Sequence, residues 1–156
     1  PAIKPSCEFG SEIVKLSEVD IKPCIGCNKC SEGKCIINDD FSSLISSLKK
    51  TFILISPIYF LGFPSYVKAF IDRFQVYWES GKREDFDFAA IILHGERGNY
   101  KAEDGLNFLS KLIFEILGVK KNFFYVLHNF QPLKNTIAEN EIICMKKKLQ
   151  TVFSVK

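Results

Sequence analysis

Four of the six cysteines fall within twelve residues, as Cys24-Ile25-Gly26-Cys27-Asn28-Lys29-Cys30-Ser31-Glu32-Gly33-Lys34-Cys35. Two consecutive C-x-x-C steps let one tight turn of backbone aim three thiolates at a common point. The fourth follows a short loop in which Gly33 can reverse the chain at little steric cost. A [4Fe-4S] cube takes one thiolate per iron corner, and this spacing suits it. Structural zinc usually draws its ligands as two separated pairs. No second pair follows here, and neither His94 nor His128 is near in sequence. Cysteines two residues apart are also poorly placed to bridge each other in an ordinary fold. A cluster is therefore favoured, with zinc and then free or bridged thiols as the alternatives. Cys7 and Cys144 read as spare thiols, Cys144 buried in its helix.

The rest of the composition narrows what kind of chain presents these thiols. At 156 residues it fits a single domain, 1–156, with the cysteine loop 22–38 inserted in it. A net charge of only +3 makes no basic field for nucleic acid. The local run Lys146-Lys147-Lys148 reads as the solvated face of a helix. The longest apolar stretch, Phe52 to Pro64, is broken by Pro57 and too short for a bilayer. Nothing resembles a signal peptide. Clustered cysteines without an export signal point to metal chemistry in a reducing, cytoplasmic setting.

Around the cysteines the chain alternates strands and helices. Glu12 to Leu16 reads as a short strand leading into the cysteine loop. Asn38-Asp39-Asp40 offers an N-cap to a helix with Phe41, Leu44, Ile45 and Leu48 inward and Lys49 and Lys50 in its last turn. Thr51 to Ser56 is a continuous apolar, β-branched run, the pattern of a strand buried on both faces. A helix from about Pro64 carries Val67, Phe70, Ile71, Phe74 and Trp78 on one stripe. Phe88 to Leu93 is a second apolar strand. The next helix runs from about Ala102 to Leu117, stopped by Gly118. Phe123 to Leu127 is the last strand, and Thr136-Ile137-Ala138-Glu139 fits a capping box opening a C-terminal helix. This order predicts an α/β sandwich around a parallel sheet. Ligands of such sheets sit outside the carboxyl ends of the strands. The loops after Leu16, Ser56 and Leu93 all point there.

The segments I-K-P-C-I-G-C-N-K-C, G-K-C-I-I-N-D-D-F, S-P-I-Y-F and V-K-A-F-I-D-R-F, in this order, resemble the NADPH-dependent FMN reductase family of flavodoxin-like proteins. The full cysteine set resembles its iron-sulfur flavoprotein branch, which pairs FMN with a [4Fe-4S] cluster. The resemblance implies that Cys24, Cys27, Cys30 and Cys35 ligate the cluster. It implies that Ser56, Pro57, Ile58, Tyr59 and Phe60 wrap the isoalloxazine ring, with Gly95, Glu96, Arg97 and Gly98 flanking it from the next loop. A flat, electron-accepting ring needs fixed hydrogen-bond partners and a dry wall. Lys68, Asp72 and Arg73 read as a helix-surface ion pair, and His94 and His128 as satisfied loop histidines.

The family opens with a strand, a phosphate-gripping turn and a helix that this sequence does not show. The expectation is that these precede Pro1 in a longer product, or come from another chain, leaving a gap between the strands at Glu12 and Thr51. The function expected is electron transfer between cluster and FMN, with NAD(P)H as candidate donor. A homo-oligomer and a ferredoxin-type redox partner are expected. One alternative is an NAD(P)H-dependent FMN or quinone reductase without a working cluster. The other is a non-catalytic scaffold stapled by metal.

Overall fold

The computed structural model describes residues 4–5, 12–95, 99–128 and 139–154. Its centre is a parallel sheet of three strands, β3 (Thr51–Pro57), β4 (Phe88–His94) and β5 (Lys121–Leu127), adjacent in that order. Thr51 stands beside Phe88 and Pro57 beside His94 on one side of β4; Lys121 and Leu127 flank the same two residues on the other. These are the three runs whose apolar, β-branched and aromatic content predicts strands. The continuous apolar run of β4 is explained by its place in the middle. Ala89, Ala90, Ile91 and Leu93 are buried on both faces.

On one face of the sheet lie α1 (Phe41–Ser47), α2 (Ser65–Asp72), α3 (Gln75–Ser80) and α4 (Glu103–Leu117). They share a core of Phe41, Ile45, Phe70, Phe74, Leu106 and Ile113 against Ala89, Ile91 and Leu93. On the opposite face α5 (Glu139–Ser154) sets Met145, Leu149 and Val152 over Ala90, Phe123, Tyr125 and Leu127. The result is the expected three-layer α/β sandwich of flavodoxin-like type, with strand order matching the 3-4-5 half of such a sheet.

Some local expectations are corrected. β3 is not buried on both faces: Ile53 and Ile55 are 55% and 65% exposed. β3 is an outer strand among the described residues, and α5 covers the part of that face over β4 and β5 only. The strand expected at Glu12–Leu16 shrinks to β2 (Glu12–Ile13), paired antiparallel with β1 (Lys4–Pro5) and not joined to the parallel sheet. Leu16 opens a single 3₁₀ turn, Leu16–Glu18. α1 ends at Ser47, before Lys49 and Lys50. The helix expected from Pro64 onward breaks into α2 and α3 around Arg73 and Phe74. The break buries Tyr77 and leaves Trp78 exposed. Cys144 is exposed rather than buried. Among the described residues no helix is long and apolar enough to cross a membrane.

Candidate redox-cofactor site

The cysteine loop leaves and re-enters the domain through one neck. The Asp20 amide donates to Asp40 Oδ2 at 3.0 Å, and the Asp40 amide donates back to Asp20 O at 2.9 Å. The Lys22 amide donates to Asp39 Oδ2 at 2.9 Å, and Lys22 Nζ to Asn38 O at 3.2 Å. Carboxylates suit this place because an irregular loop leaves backbone N–H groups without a ladder partner. The sequence assigned Asp39 and Asp40 to a helix cap. Asp39 Oδ1 does accept the Phe41 amide at 3.1 Å at the start of α1. Its other oxygen, and the carboxylate of Asp40, close the neck instead.

Inside the neck the backbone turns through positive φ at Gly26 (63°), Asn28 (55°) and Gly33 (70°). These residue types carry the smallest cost in that region. The Gly33 amide donates to Cys30 O at 2.8 Å, closing the turn between the third and fourth cysteines. Cys30 is buried, while Cys24, Cys27 and Cys35 are half-buried. Burial pushes the Cys30 thiol up, and the charges of Cys35, Cys27, Cys24 and Glu79 push it further. The four thiols therefore share one electrostatic neighbourhood. Among the described residues no group of three or more His, Cys, Asp or Glu side chains is arranged to hold a metal ion.

Beneath the loop sits Arg73, and here the sequence expectation is overturned. Lys68 and Asp72 do form the exposed pair expected on α2, but Arg73 is not part of it. Its side chain is fully buried against that of Asp39, also fully buried. Nη1 donates to Asp39 Oδ2 and, at 3.0 Å, to Lys22 O, while Nη2 reaches Asp39 Oδ1 at 3.2 Å. The guanidinium lies over the Phe41 ring, 4.8 Å from its centroid. Burial alone would push the Asp39 carboxyl up. The Arg73 hydrogen bond, the Lys22 and Phe41 amides and the Arg73 charge reverse this and hold it below the usual carboxylate range. Burial likewise opposes the charge on Arg73, but Asp39 and the neighbouring Cys35 thiol keep it firmly protonated. Arg73 Nε is buried and has no hydrogen-bond partner. A legible signal existed: position 73 falls three residues after Phe70 and four before Tyr77, on the buried stripe.

The second group of residues stands at the other end of α2. Ser56 is buried, its Oγ donating to Pro57 O at 2.9 Å. The Ile58 amide donates to His94 O at 2.8 Å, so the chain remains tied to the end of β4, and Ile58 turns inward. Tyr59 and Gly62 then exchange two hydrogen bonds of 2.9 Å, closing a two-residue turn with Phe60 (φ 49°) and Leu61 (φ 63°) at its tip. Such turns favour Asn and Gly; a Phe-Leu tip is strained. Tyr59 and Leu61 are exposed, and Phe60 has no cover at all.

Gly95 is buried beside this turn, its amide donating to Leu127 O at 3.1 Å. Burial pushes the His94 imidazole below its usual value, toward the neutral form. His128 meets Glu103 at 3.2 Å. Glu96, Arg97, Gly98 and Cys7 lie outside the described residues. Ser56–Phe60 and Gly95 thus gather at the carboxyl end of β3 and β4, as expected for a ligand edge. The cysteine loop does not join them there. It is fastened at the C-terminal end of α2, whose eight residues rise about 12 Å.

The described residues offer groups toward each cofactor that the sequence suggests, but no three of them are arranged to hold a metal ion. The cysteine loop offers four thiols and is tied at its neck to the buried Arg73–Asp39 pair. The turn offers an exposed aromatic face next to backbone amides. The sequence profile of the NADPH-dependent FMN reductase family matches residues 4–107. An iron-sulfur flavoprotein of Methanocaldococcus jannaschii is 41% identical over 66 residues, which cover 40% of this chain and 34% of that protein. An iron-sulfur flavoprotein of Archaeoglobus fulgidus is 36% identical over 108 residues, covering 67% of this chain and 48% of that one. The chain therefore spans less than half the length of these relatives. Among solved structures, the Trp repressor binding protein from Bacillus subtilis is similar with a TM-score of 0.48 and 20% identity, over 72% of this chain and 73% of that one.

Proposed function

Since the chain belongs to the NADPH-dependent FMN reductase family, in its iron-sulfur flavoprotein branch, we propose that it is a flavin-dependent oxidoreductase that passes electrons between a [4Fe-4S] cluster and FMN. Cys24, Cys27, Cys30 and Cys35 would hold the cluster; Ser56–Phe60 and Gly95, with Glu96, Arg97 and Gly98, would hold the flavin ring. When bound, the cluster supplies single-electron exchange and FMN exchange of either one electron or a pair.

This chain's own residues supply the positioning. Asp39 and Asp40 fix the ends of the cysteine loop, which limits how far its four thiols can spread. The tie from Ile58 to His94 fixes the root of the turn, leaving only its tip to adapt to a ring. Tyr59 and Phe60 offer the apolar wall that keeps water from a reduced ring. Neutral His94 adds no charge to that wall. What supports the reading is that the loop bearing the four cysteines and the Ser56–Phe60 turn flank one eight-residue helix, α2. NAD(P)H is the proposed donor and a ferredoxin-type protein a proposed partner. The exposed rim of Tyr59, Phe60, Leu61 and Tyr66 is where a second copy would pack in the proposed homo-oligomer. The open edge of β3 would take a further parallel strand carrying a phosphate-gripping turn.

Anaerobic purification with iron, sulfide and flavin counts and a visible spectrum tests the proposal. A broad brown absorbance with stoichiometric iron and flavin supports it. A yellow protein without iron points to the plain reductase, and metal without flavin to the stapled scaffold.

A further inference from the structure

His128 and Glu103 form a pair that the proposed flavin site does not use. Pro57, His94 and Leu127 stand in one register across the sheet. Ile58, Gly95 and His128 are therefore the first residues past the carboxyl ends of β3, β4 and β5. The Ile58 amide donates to His94 O at 2.8 Å and the Gly95 amide to Leu127 O at 3.1 Å, which ties each of these two to the strand next to its own. From Ile58 to His128 the edge is two strand spacings wide, about 10 Å. The first two positions are those proposed to hold the ring; the third carries an imidazole. His128 Nε2 meets Glu103 Oε2 at 3.2 Å. Glu103 opens α4, which the 3₁₀ turn Asn99–Ala102 leads into from the loop after Gly95. The two side chains keep 35% and 41% of their surface open, so the pair reaches water as well as the edge. An ion pair this exposed adds little to stability. Its place beside the ligand edge matters more than its strength.

We propose that His128 gives the flavin ring the proton it takes up on reduction, with Glu103 holding the imidazole in place. The inference rests on the reading that this edge holds FMN. A one-electron donor brings electrons alone. Two electrons and one proton turn the oxidised ring into its anionic reduced form, so the proton must come from another group. With Glu103 accepting from Nε2–H, the proton that leaves is the one on Nδ1. The Nδ1–H bond breaks, an N–H bond forms on the ring, and the imidazole is left neutral. Water at its open side then restores the proton. A carboxylate on the far nitrogen fixes the tautomer and orientation of such a donor. His94, the other histidine at this edge, is less suited: it lies within β4, and burial pushes it toward the neutral form, with no proton to spare.

The test uses the chain titrated with FMN under anaerobic conditions. His94 and His128 are its two histidines, so ¹⁵N-histidine labelling gives two imidazole signals, and His128→Gln tells them apart. Adding oxidised FMN to the wild type should move the ring nitrogens of His128. That measurement stands even where a variant fails to fold. Stopped-flow reduction of the bound flavin by dithionite, a one-electron donor, should slow by about 100-fold or more in His128→Gln, the scale of a lost general acid. Reduction by NADPH, whose hydride carries its own hydrogen to the ring, should slow less. Glu103→Gln should slow the dithionite reaction by a smaller factor while His128 still responds to FMN. Added imidazole should restore the rate of His128→Ala. A slowed His128→Ala that imidazole fails to restore marks a structural role and overturns the proposal. So do unmoved His128 signals in a flavin-loaded wild type, an unslowed His128→Gln, or a rate lost with His94→Gln in its place; each leaves the flavin reading intact. A wild-type chain that binds no FMN overturns both.

Discussion

The two ends of α2 are built on opposite terms. At its C-terminal end the cysteine loop is clamped by groups outside the four cysteines. Two carboxylates close the neck, a buried arginine underpins it, and its awkward backbone angles fall on Gly26, Asn28 and Gly33. At its N-terminal end the turn at Phe60 and Leu61 holds the same kind of backbone angles on bulky residues, in full solvent, beside an outer strand with exposed isoleucines. One end is preorganised. The other carries strain and bare apolar surface that only a bound ring or a packed partner would relieve. A metal centre gains from fixed ligands, whereas a flavin site must admit a large planar molecule.

The cysteines themselves give the largest way to break this comparison. Replacing Cys24, Cys27, Cys30 or Cys35 by Ala should abolish or degrade cluster loading, while Cys144→Ala should leave iron and sulfide counts unchanged. Loss of iron from Cys144→Ala with retention in Cys35→Ala would overturn the ligand assignment.

Next in size is the clamp. Asp39→Ala leaves a buried guanidinium without its counter-ion and two amides without acceptors. Urea titration should show about 3–5 kcal/mol of lost stability, the range for breaking one partner of a buried pair. An effect below about 1 kcal/mol would make the neck no tighter than an ordinary surface loop.

The same pair should be visible in acid. Because the folded carboxyl of Asp39 titrates below its unfolded value of about 3.9, its contribution is fully present above that pH. It is lost as the pH falls through the folded value. Wild-type urea midpoints should therefore drop below about pH 4, and Asp39→Asn, lacking the carboxylate at every pH, should drop less steeply over that interval.

The smallest effects separate the two turns most cleanly. Leu61→Gly should stabilise the protein by about 1 kcal/mol, since glycine adopts the left-handed backbone without strain. Gly33→Ala should cost about 1 kcal/mol for the same reason reversed. The added methyl would also meet the Lys82 side chain, whose flexible end can move aside. If Leu61→Gly destabilises instead, the tip is not strained and the contrast between the ends fails. Flavin titration of Phe60→Asn should show weaker binding without loss of stability.

Much of this architecture was legible in the chain, for reasons that differ by residue. The three strands declared themselves because a strand covered on both faces, such as β4, must be apolar throughout. The cysteines were legible because their chemistry needs their spacing. β3 misled, since its composition records a covering that α5 does not supply over Ile53 and Ile55. Asp39 was read only in part and Arg73 was misassigned, because each has a plausible local role, a cap and a helix-surface ion pair. Their actual partnership spans 34 residues, and sequence pattern registers short-range contacts far better than distant ones. Trp78 failed for a related reason: the stripe was drawn through an unbroken helix, and the break at Arg73 and Phe74 turns its last members about the axis.

The neck of the cysteine loop has one more consequence. Its closure depends on carboxylates and amides, none of which is a metal ligand. If the four cysteines hold a cluster as proposed, losing its iron would leave the entry and exit of the loop where they stand. Only the stretch between them would then have to be rebuilt around new iron and sulfide.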